Sequence, residues 1–251
     1  PLTLKRYPDG VDGPYFYEKN CPAHRPDWIE TASFRRRDAS GGRKKIEYCL
    51  MDGLPALVWA ANLADLELHV PLARAAHIAR PDSIVFDLDP GPPAGLQACC
   101  TVALLVRELL AGMKLEAFPK VSGSKGLQLY VPLNRRDVGY EHTKSYAKAI
   151  AEALEREHPT RVVSKMKKSL RSGKVFVDWS QNDEHKTTVC VYSLRAKDQP
   201  TVSLPVTWKE VERADPSKLV FVADGALARV KRKGDLFEPV LSLVQRLPAL
   251  T

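Results

Sequence analysis

Two aspartates at alternate positions close an apolar run near the middle of the chain. Asp87 and Asp89 stand at the end of residues 83–88, whose β-branched and aromatic content predicts a strand. Side chains alternate along a strand, so both carboxylates point to one face, and Pro90 and Gly91 then turn the chain away. Such carboxylates repel each other unless a cation lies between them, and hard oxygen ligands suit Mg²⁺ or Mn²⁺. The alternative is a capping pair at a strand-to-helix turn.

A third carboxylate ends a second apolar run. Residues 174–179 predict a strand that carries Asp178. Three carboxylates from two strands are what a two-metal site needs, with ions roughly 3.5–4 Å apart. One ion would lower the pKa of a primer 3′-hydroxyl, and the other would hold a triphosphate and neutralise the departing pyrophosphate. We therefore predict Asp87, Asp89 and Asp178 as catalytic metal ligands for two Mn²⁺ or Mg²⁺ ions.

A glycine-rich segment, residues 121–126, lies between these two strands. Its small residues would let backbone N–H groups approach phosphate oxygens, and Lys125 supplies a cation. It is not a Walker A sequence, because the spacing and the Lys-Ser/Thr ending are absent. Arg171, Lys186 and Arg195 could neutralise a triphosphate or a template phosphate. A plain hairpin loop and ordinary surface cations are the alternatives.

The elements that must position these side chains are strands with intervening helices. Strands are predicted at residues 45–50, 83–88, 115–120, 127–131, 174–179 and 187–192. Apolar residues that recur every three or four positions predict helices at residues 55–64, 94–111 and 140–157. An exposed turn is predicted at residues 38–43. This order favours an α+β or mixed α/β sheet over a sandwich or a bundle, and the absence of a long linker predicts one domain over residues 1–251.

The composition is that of a basic globular protein. The 251 residues include 38 Lys and Arg against 30 Asp and Glu, a net charge of +8, which favours a polyanionic partner such as nucleic acid. The longest apolar runs are too short to span a membrane, and no signal-like segment opens the chain. The five cysteines form no CxxC pair, which predicts reduced thiols in a cytoplasmic protein.

Several motifs, in this order, resemble those of one known family. They are residues 86–91 (FDLDPG), 122–126 (SGSKG) and 176–182 (FVDWSQN), with residues 5–11 (KRYPDGV), 62–69 and 192–195 (YSLR) around them. The pattern resembles the polymerase domain of bacterial ligase D, an archaeo-eukaryotic primase-polymerase, and looks more closely like the ligase C-associated relative called Prim-PolC. The likeness extends over nearly the whole chain.

This resemblance implies a fold, an activity and a set of partners. The fold would be that of a primase-polymerase, with an RRM-like mixed catalytic sheet flanked by helices. The protein would add NTPs or dNTPs, with ribonucleotides preferred, to a primer end in short gaps or breaks of DNA during repair by end joining. The implied partners are gapped or broken duplex DNA, an ATP-dependent DNA ligase and Ku, and the expected location of a monomeric enzyme is the bacterial nucleoid.

The resemblance also assigns roles to individual residues. Asp87, Asp89 and Asp178 match metal ligands. Phe16 and Tyr17 match the aromatic segment that packs against the template base. The residues that match the nucleotide pocket are Lys5, His69, Ser122, Gly123, Lys125, Gln128, Arg171, Lys186 and Arg195.

Three departures from the family pattern stand out. Gln128 occupies the position of a histidine in the nucleotide pocket, and an amide can donate a hydrogen bond there but cannot carry a charge. We therefore expect altered nucleotide affinity rather than loss of activity. Tyr17 stands where ligase D relatives often have Phe, and stacking survives that change. The lysines that bind a downstream 5′-phosphate in relatives would lie before Pro1, so the chain is expected to lack an upstream segment or that pocket.

Two other classes of function compete with this interpretation. A haloacid-dehalogenase-like phosphatase also opens with an apolar strand and two alternate aspartates, but Pro90 and the single late Asp178 fit it poorly. A non-catalytic nucleic-acid-binding domain would explain the positive charge and the aromatic residues. Three carboxylates at strand ends would repel phosphates in such a domain, which favours the enzyme.

Overall fold

The computed structural model describes residues 1–37 and 43–249. The strands are β1 (Thr3–Arg6), β2 (Phe16–Glu18), β3 (Thr31–Arg37), β4 (Arg43–Cys49), β5 (Asp65–Val70), β6 (Ser83–Pro90), β7 (Phe118–Val121), β8 (Leu127–Pro132), β9 (Val162–Val163), β10 (Val175–Asp178), β11 (Thr188–Val189), β12 (Leu194–Arg195), β13 (Thr201–Val202) and β14 (Leu204–Pro205). The helices are α1 (Leu54–Asn62), α2 (Leu96–Gly112), α3 (Tyr140–Glu157), α4 (Trp208–Arg213), α5 (Ala223–Lys233) and α6 (Glu238–Ser242). The turn predicted at residues 38–43 lies, apart from its last residue, outside the described residues.

Two sheets carry most of the functional residues discussed below, and Arg195 lies in β12, which pairs with β13 in a separate two-stranded sheet. The larger has six strands in the order β14-β7-β8-β6-β10-β9, in which only the β10–β9 pair is parallel. The smaller has four strands in the order β11-β5-β1-β2 and is antiparallel throughout. This combination of helices with a mixed sheet confirms the predicted α+β class. Within the described residues, no helix has the length and apolar character needed to cross a bilayer.

The alternation of side chains along β6 separates the core from the polar face. Ile84, Phe86 and Leu88 are buried in the main core together with apolar residues of α2 and α3. Asp87 and Asp89 have the opposite parity, so they lie on the face that the core helices leave uncovered. The same alternation in β8 and β10 sends Leu127, Leu129, Val175 and Val177 into the core. The sheet therefore has one apolar face and one face that carries polar side chains.

The sequence predicted some element boundaries better than others. The helix predicted at residues 140–157 is confirmed as α3, where seven inward residues are buried, and the helix predicted at 94–111 corresponds to α2. The prediction of a strand over residues 187–192 is wrong beyond its first part. Only Thr188–Val189 pairs with β5, and Tyr192 then adopts a left-handed conformation with φ of 65°, which no strand accommodates.

The prediction that every cysteine is a reduced thiol is wrong for one pair. Cys21 and Cys49 form a disulfide with Cα atoms 4.8 Å apart, whereas Cys99, Cys100 and Cys190 are free. Cys21 follows β2 and Cys49 ends β4, and the Cys21 amide also donates to Glu47 in β4. Their separation of 28 residues gave no sequence signal, because it is the pairing of distant segments that brings the two side chains together.

Candidate active site

The three predicted carboxylates lie on one face of the sheet, where β6 and β10 run side by side. The antiparallel register places Asp178 directly opposite Asp87, and Phe176 opposite Asp89. On the other side of β6, Gln128 of β8 stands opposite Asp87. Asp87, Asp89 and Asp178 all lie on the polar face of the sheet. The register of β6 and β10 therefore concentrates negative charge on a small area. The alternation of side chains along a strand predicted that Asp87 and Asp89 share a face, and the pairing of β10 with β6 adds Asp178 to them.

Electrostatic repulsion among these carboxylates is visible in their acidities. Burial raises the pKa of Asp87, and the charges of Asp89 and Asp178 raise it further. Burial and the charge of Asp178 likewise raise the pKa of Asp89, with Arg171 and Arg195 acting in the opposite direction. Carboxyl groups that resist ionisation in this way are relieved by a nearby cation.

Asp178 is fixed by the short helical turn that follows β10. Its Oδ1 accepts hydrogen bonds from the Ser180 amide at 2.9 Å and the Ser180 hydroxyl at 2.6 Å, and its Oδ2 accepts from Gln181 Nε2 at 3.1 Å. Each carboxylate oxygen has a second lone pair, so these bonds orient the group without exhausting it. Within residues 1–37 and 43–249, no group of three or more His, Cys, Asp or Glu side chains is already arranged to hold a metal ion.

The glycine-rich segment forms a tight loop between β7 and β8. The Ser122 hydroxyl accepts hydrogen bonds from the amides of Ser124 and Gly126, both at 3.2 Å. Gly123 has φ of +70°, and a Cβ there would lie 2.8 Å from the carbonyl carbon of Val202, so only glycine suits the position. Lys125 is exposed at the tip, in keeping with the cationic loop predicted from the sequence.

A cavity of about 540 Å³ lies between this loop and the carboxylates. The sequence-predicted residues that line it are Tyr17, His69, Asp87, Asp89, Ser122, Lys125, Gln128, Lys186 and Arg195. They come from the two larger sheets, from β12 of a separate two-stranded sheet and from two loops, so the structure brings together most of the residues that the sequence singled out. The volume is of the size that small-molecule ligands occupy in proteins.

Five predicted residues lie beside the cavity rather than on its wall. Asp178 is opposite Asp87, and Gly123 is behind Ser122. The Arg171 guanidinium stacks on the Phe176 ring at 3.8 Å and donates to the Met166 carbonyl. Phe16 is 44% exposed, with the Arg6 guanidinium over its ring.

The fifth, Lys5, is enclosed within the smaller sheet. Its ammonium group lies 3.1 Å from Glu67 Oε1 and over the rings of Tyr7, Tyr15 and Tyr17. Of these aromatic residues, only Tyr17 also lines the cavity.

Gln128 lines the cavity and is 3% exposed. Its Nε2 donates to Thr188 Oγ1 at 3.0 Å, while its Oε1 is buried without a hydrogen-bond partner. The neighbouring Gln128 side chain lowers the pKa of the Asp87 carboxyl, against the larger effect of burial. Gln128 therefore faces Asp87 across the β6–β8 pair and contacts Thr188, and all three residues line the cavity.

Replacement of Gln128 by His is expected to lower the nucleotide KM by about three- to tenfold at pH 6, with smaller changes at pH 8. A protonated imidazole adds a charge-assisted contact to phosphate that an amide cannot make, and that charge is lost as pH rises. Steady-state primer extension at both pH values measures the effect. Gln97→His, at an exposed position of α2, is the matched control. Unchanged KM and kcat in Gln128→His would contradict the expectation.

Two buried charged residues near the cavity had no predicted role. Glu67 is 2% exposed on β5, and its neighbours include Lys5, His69 and Arg195. Lys120 is fully buried on β7, where its ammonium donates to the Val189 carbonyl at 3.1 Å and to Ser203 Oγ at 2.6 Å. Burial lowers the pKa of Lys120 to about 7. A charged residue within a predicted strand was the available signal for Lys120, whereas Glu67 lies outside every predicted strand and gave no such signal.

Comparison with known proteins identifies the class. The model of the LigD primase-polymerase domain matches residues 1–237. The multifunctional non-homologous end joining DNA repair protein LigD of Mycobacterium tuberculosis is 43% identical over 248 residues, which cover 95% of this chain and 31% of that protein. The bifunctional non-homologous end joining protein LigD of Bacillus subtilis is 32% identical over 233 residues, 93% of this chain and 36% of that protein. This chain thus spans about a third of the length of these relatives.

A solved structure agrees with these matches. The polymerase domain of Mycobacterium tuberculosis ligase D in complex with DNA superposes with a TM-score of 0.87 at 40% identity, over 98% of this chain and 85% of that one. The fold is therefore that of a primase-polymerase domain. The chain belongs to the LigD primase-polymerase domain family.

Proposed function

We propose that this chain is a metal-dependent nucleotidyltransferase that extends a primer strand in short gaps or at broken ends of DNA, with ribonucleotides preferred. The observation that carries the proposal is the register of β6 and β10, which groups Asp87, Asp89 and Asp178 beside a cavity rich in cations. The polymerase domain and the end-joining proteins that resemble this chain support the same activity. Family membership also favours this function over the phosphatase that the sequence left open.

The carboxylates fit a pair of divalent cations by their chemistry. Their oxygens are the ligands that Mg²⁺ and Mn²⁺ take, and their mutual repulsion is the kind that a bound cation offsets. We propose that Asp87, Asp89 and Asp178 hold two such ions. When bound, the ions would activate the primer 3′-hydroxyl and neutralise charge on the departing pyrophosphate. Ser180 and Gln181 contribute by holding the Asp178 carboxylate in a fixed orientation.

The cations around the cavity are placed to hold a triphosphate. Lys125 at the loop tip, Lys186 before β11 and Arg195 in β12 all line the same space as Asp87 and Asp89. Arg195 is fixed by a hydrogen bond of 2.8 Å from its Nη1 to the Ser122 carbonyl, so its charge is presented without a large loss of side-chain entropy on binding. We assign nucleotide binding to these three residues together with His69, Ser122, Gly123 and Gln128.

The residues outside the cavity take other positions in the proposed complex. Tyr17 on β2 borders the cavity and is 52% exposed, and its ring edge contacts His69 at a centroid distance of 5.3 Å. Exposed Phe16 lies beside it, and both rings are available to stack on template bases. Arg171 acts on the site electrostatically, through Asp89.

We propose substrates, partners and a cellular location for the domain as well. Its substrates are gapped or broken duplex DNA and NTPs or dNTPs, and the basic net charge suits a DNA surface. We propose an ATP-dependent ligase and Ku as partners, a monomeric polymerase unit, and a location in the bacterial nucleoid. The domain is expected to extend over residues 1–251, and the finer likeness to Prim-PolC stays a prediction.

Primer extension on a duplex with a short gap tests this function. Wild-type protein with Mn²⁺ is expected to incorporate NTPs faster than dNTPs, and EDTA is expected to abolish incorporation. Protein that binds the duplex but extends nothing with either metal would instead support a non-catalytic DNA-binding domain. Hydrolysis of a generic phosphoester without incorporation would revive the phosphatase.

A further inference from the structure

We propose that Glu67 is a positioning residue that sets nucleotide affinity by holding Arg195 and His69 at the cavity wall and linking Lys5 to them. This inference rests on the proposed function, because the affinity concerned is that for the incoming nucleotide. Glu67 itself does not line the cavity, whereas Arg195 and His69 do. It therefore acts through these neighbours.

Glu67 is the common partner of five groups from three parts of the chain, residues 5–7, 69 and 195–196. Its Oε1 accepts hydrogen bonds from the Lys5 ammonium at 3.1 Å, the Tyr7 hydroxyl at 2.9 Å and the Ala196 amide at 3.1 Å. Its Oε2 lies 3.3 Å from His69 Nε2 and 3.1 Å from Arg195 Nε. The Arg195 contact is an ion pair rather than an aligned hydrogen bond, since Nε has no partner in hydrogen-bonding geometry.

The contacts of Arg195 show how Glu67 would set its position. Glu67 attracts the guanidinium from one side, and the Ser122 carbonyl accepts a hydrogen bond from Nη1 on another. Ser122 belongs to the loop that carries Lys125, so Glu67 connects the smaller sheet to that loop through Arg195. A side chain held at two points pays less entropy on binding a phosphate than a free one. Loss of Glu67 would release one of the two points.

The charges around Glu67 do not cancel. One buried carboxylate faces two cations, Lys5 and Arg195, whose side chains are 10% and 19% exposed. These contacts, with those from His69 and the Ala196 amide, lower the pKa of Glu67 despite its burial. Within the trio of Glu67, Lys5 and Arg195, one positive charge is therefore in surplus, and Arg195 presents it at the cavity wall. An anionic triphosphate is the ligand chemistry that such a surplus favours.

The same arrangement explains the position of Lys5. The resemblance placed Lys5 near the nucleotide, yet its ammonium is enclosed by Tyr7, Tyr15 and Tyr17, with the Tyr15 ring centroid 4.2 Å away. Glu67 is the group that joins Lys5 to Arg195 and His69. Lys5 thus reaches the cavity through Glu67, and Tyr17 forms the boundary between this cluster and the cavity.

Steady-state extension kinetics with Glu67→Gln test the inference, since glutamine keeps the volume and removes the charge. The nucleotide KM is expected to rise about tenfold with kcat within about threefold, because a ground-state phosphate contact contributes to binding. In the Arg195→Ala background, the same substitution is expected to raise KM by less than about twofold, since the guanidinium through which Glu67 acts is absent. A merely structural role would not produce this non-additivity.

Glu210→Gln is the matched control. Glu210 also pairs one carboxylate with two cations, Arg229 at 2.6 Å and Lys233 at 3.0 Å, but on α4 and away from the cavity. Its loss is expected to lower thermal stability and to leave KM unchanged. An unchanged KM in Glu67→Gln, or effects of Glu67→Gln and Arg195→Ala that simply multiply, would overturn the inference. Wild-type protein that extends no primer would overturn the proposed function instead.

A milder variant covers the case in which Glu67→Gln does not fold. Tyr7→Phe removes one hydrogen bond to Glu67 Oε1 and leaves the charge in place. We expect it to raise the nucleotide KM about two- to threefold in the wild-type background and to have no effect beside Arg195→Ala. Equal KM values for Tyr7→Phe and wild type would then count against the positioning role.

Discussion

Asp87→Asn is expected to reduce the rate of primer extension by about 10³-fold or more while the protein remains folded. The substitution keeps the shape of the side chain and removes the central charge of the three carboxylates, which Asp178 faces across the β6–β10 pair. An amide is a poor ligand for two divalent cations at once, so the charge on the reacting phosphates would be left without compensation. Extension of a gapped duplex with Mn²⁺ measures the loss.

Stability provides a second readout for the same substitution. Burial and the charges of Asp89 and Asp178 disfavour ionised Asp87, so its replacement removes repulsion from the protein without metal. We expect the unfolding midpoint of Asp87→Asn in EDTA to equal or exceed that of wild type. Asp137→Asn, which alters an exposed carboxylate paired with Arg135, is the control for activity. Extension within tenfold of wild type by Asp87→Asn would contradict the assignment of Asp87 as a metal ligand.

Gly91→Ala is expected to lower the free energy of unfolding by roughly 3 kcal/mol. A Cβ at Gly91 would lie 1.9 Å from the Arg171 carbonyl oxygen, and backbone atoms cannot move aside as a flexible side chain can. The Gly91 amide donates to the Lys174 carbonyl, and the Gly91 carbonyl accepts from the Gly173 amide. The strain would therefore fall on the contact between the end of β6 and the segment before β10. This contact helps to hold β6 against β10, and so to keep Asp89 near Asp178. Extension activity should therefore fall even at temperatures where the variant is folded.

Chemical denaturation followed by circular dichroism measures this loss. Gly225→Ala in α5 is the matched control, because nothing lies within 4 Å of a Cβ at that position. Alanine there should leave stability unchanged or raise it by about 0.5–1 kcal/mol, in line with its higher helix propensity. If Gly91→Ala were as stable as Gly225→Ala, the close approach of residues 91 and 171 would not exist in solution.

Local pattern predicted much of what surrounds the site. The spacing of Asp87 and Asp89 on an apolar strand fixes their common face by geometry alone, whatever the strand pairs with. The recurrence of apolar residues likewise predicted α3 in full. Both features depend on residues that are neighbours in sequence. The position of Asp178 opposite Asp87 depends instead on the pairing of strands some 90 residues apart, which spacing along the chain does not specify.

The features that the sequence did not predict, or predicted incorrectly, share a physical cause. Glu67 gained no predicted role because its importance comes from partners as distant as Arg195, which no local pattern reveals. The Cys21–Cys49 disulfide depends in the same way on the approach of two separate segments. Arg171 was expected in the nucleotide pocket as a cation near a carboxylate strand, yet its stacking on Phe176 places it beside the cavity. Long-range packing decided each of these cases.

The measurement that bears most directly on the account is the location of Mn²⁺ in crystals of the chain with a non-hydrolysable nucleotide. Anomalous difference density is expected at two positions, both within ligand distance of Asp87 and Asp89, with Asp178 bound to one of them and the triphosphate directed toward Lys125 and Arg195. Crystals of Asp87→Asn grown in the same way should show neither position fully occupied. Manganese bound elsewhere, with the three carboxylates free of metal while the nucleotide is in place, would contradict the assignment of Asp87, Asp89 and Asp178 as metal ligands.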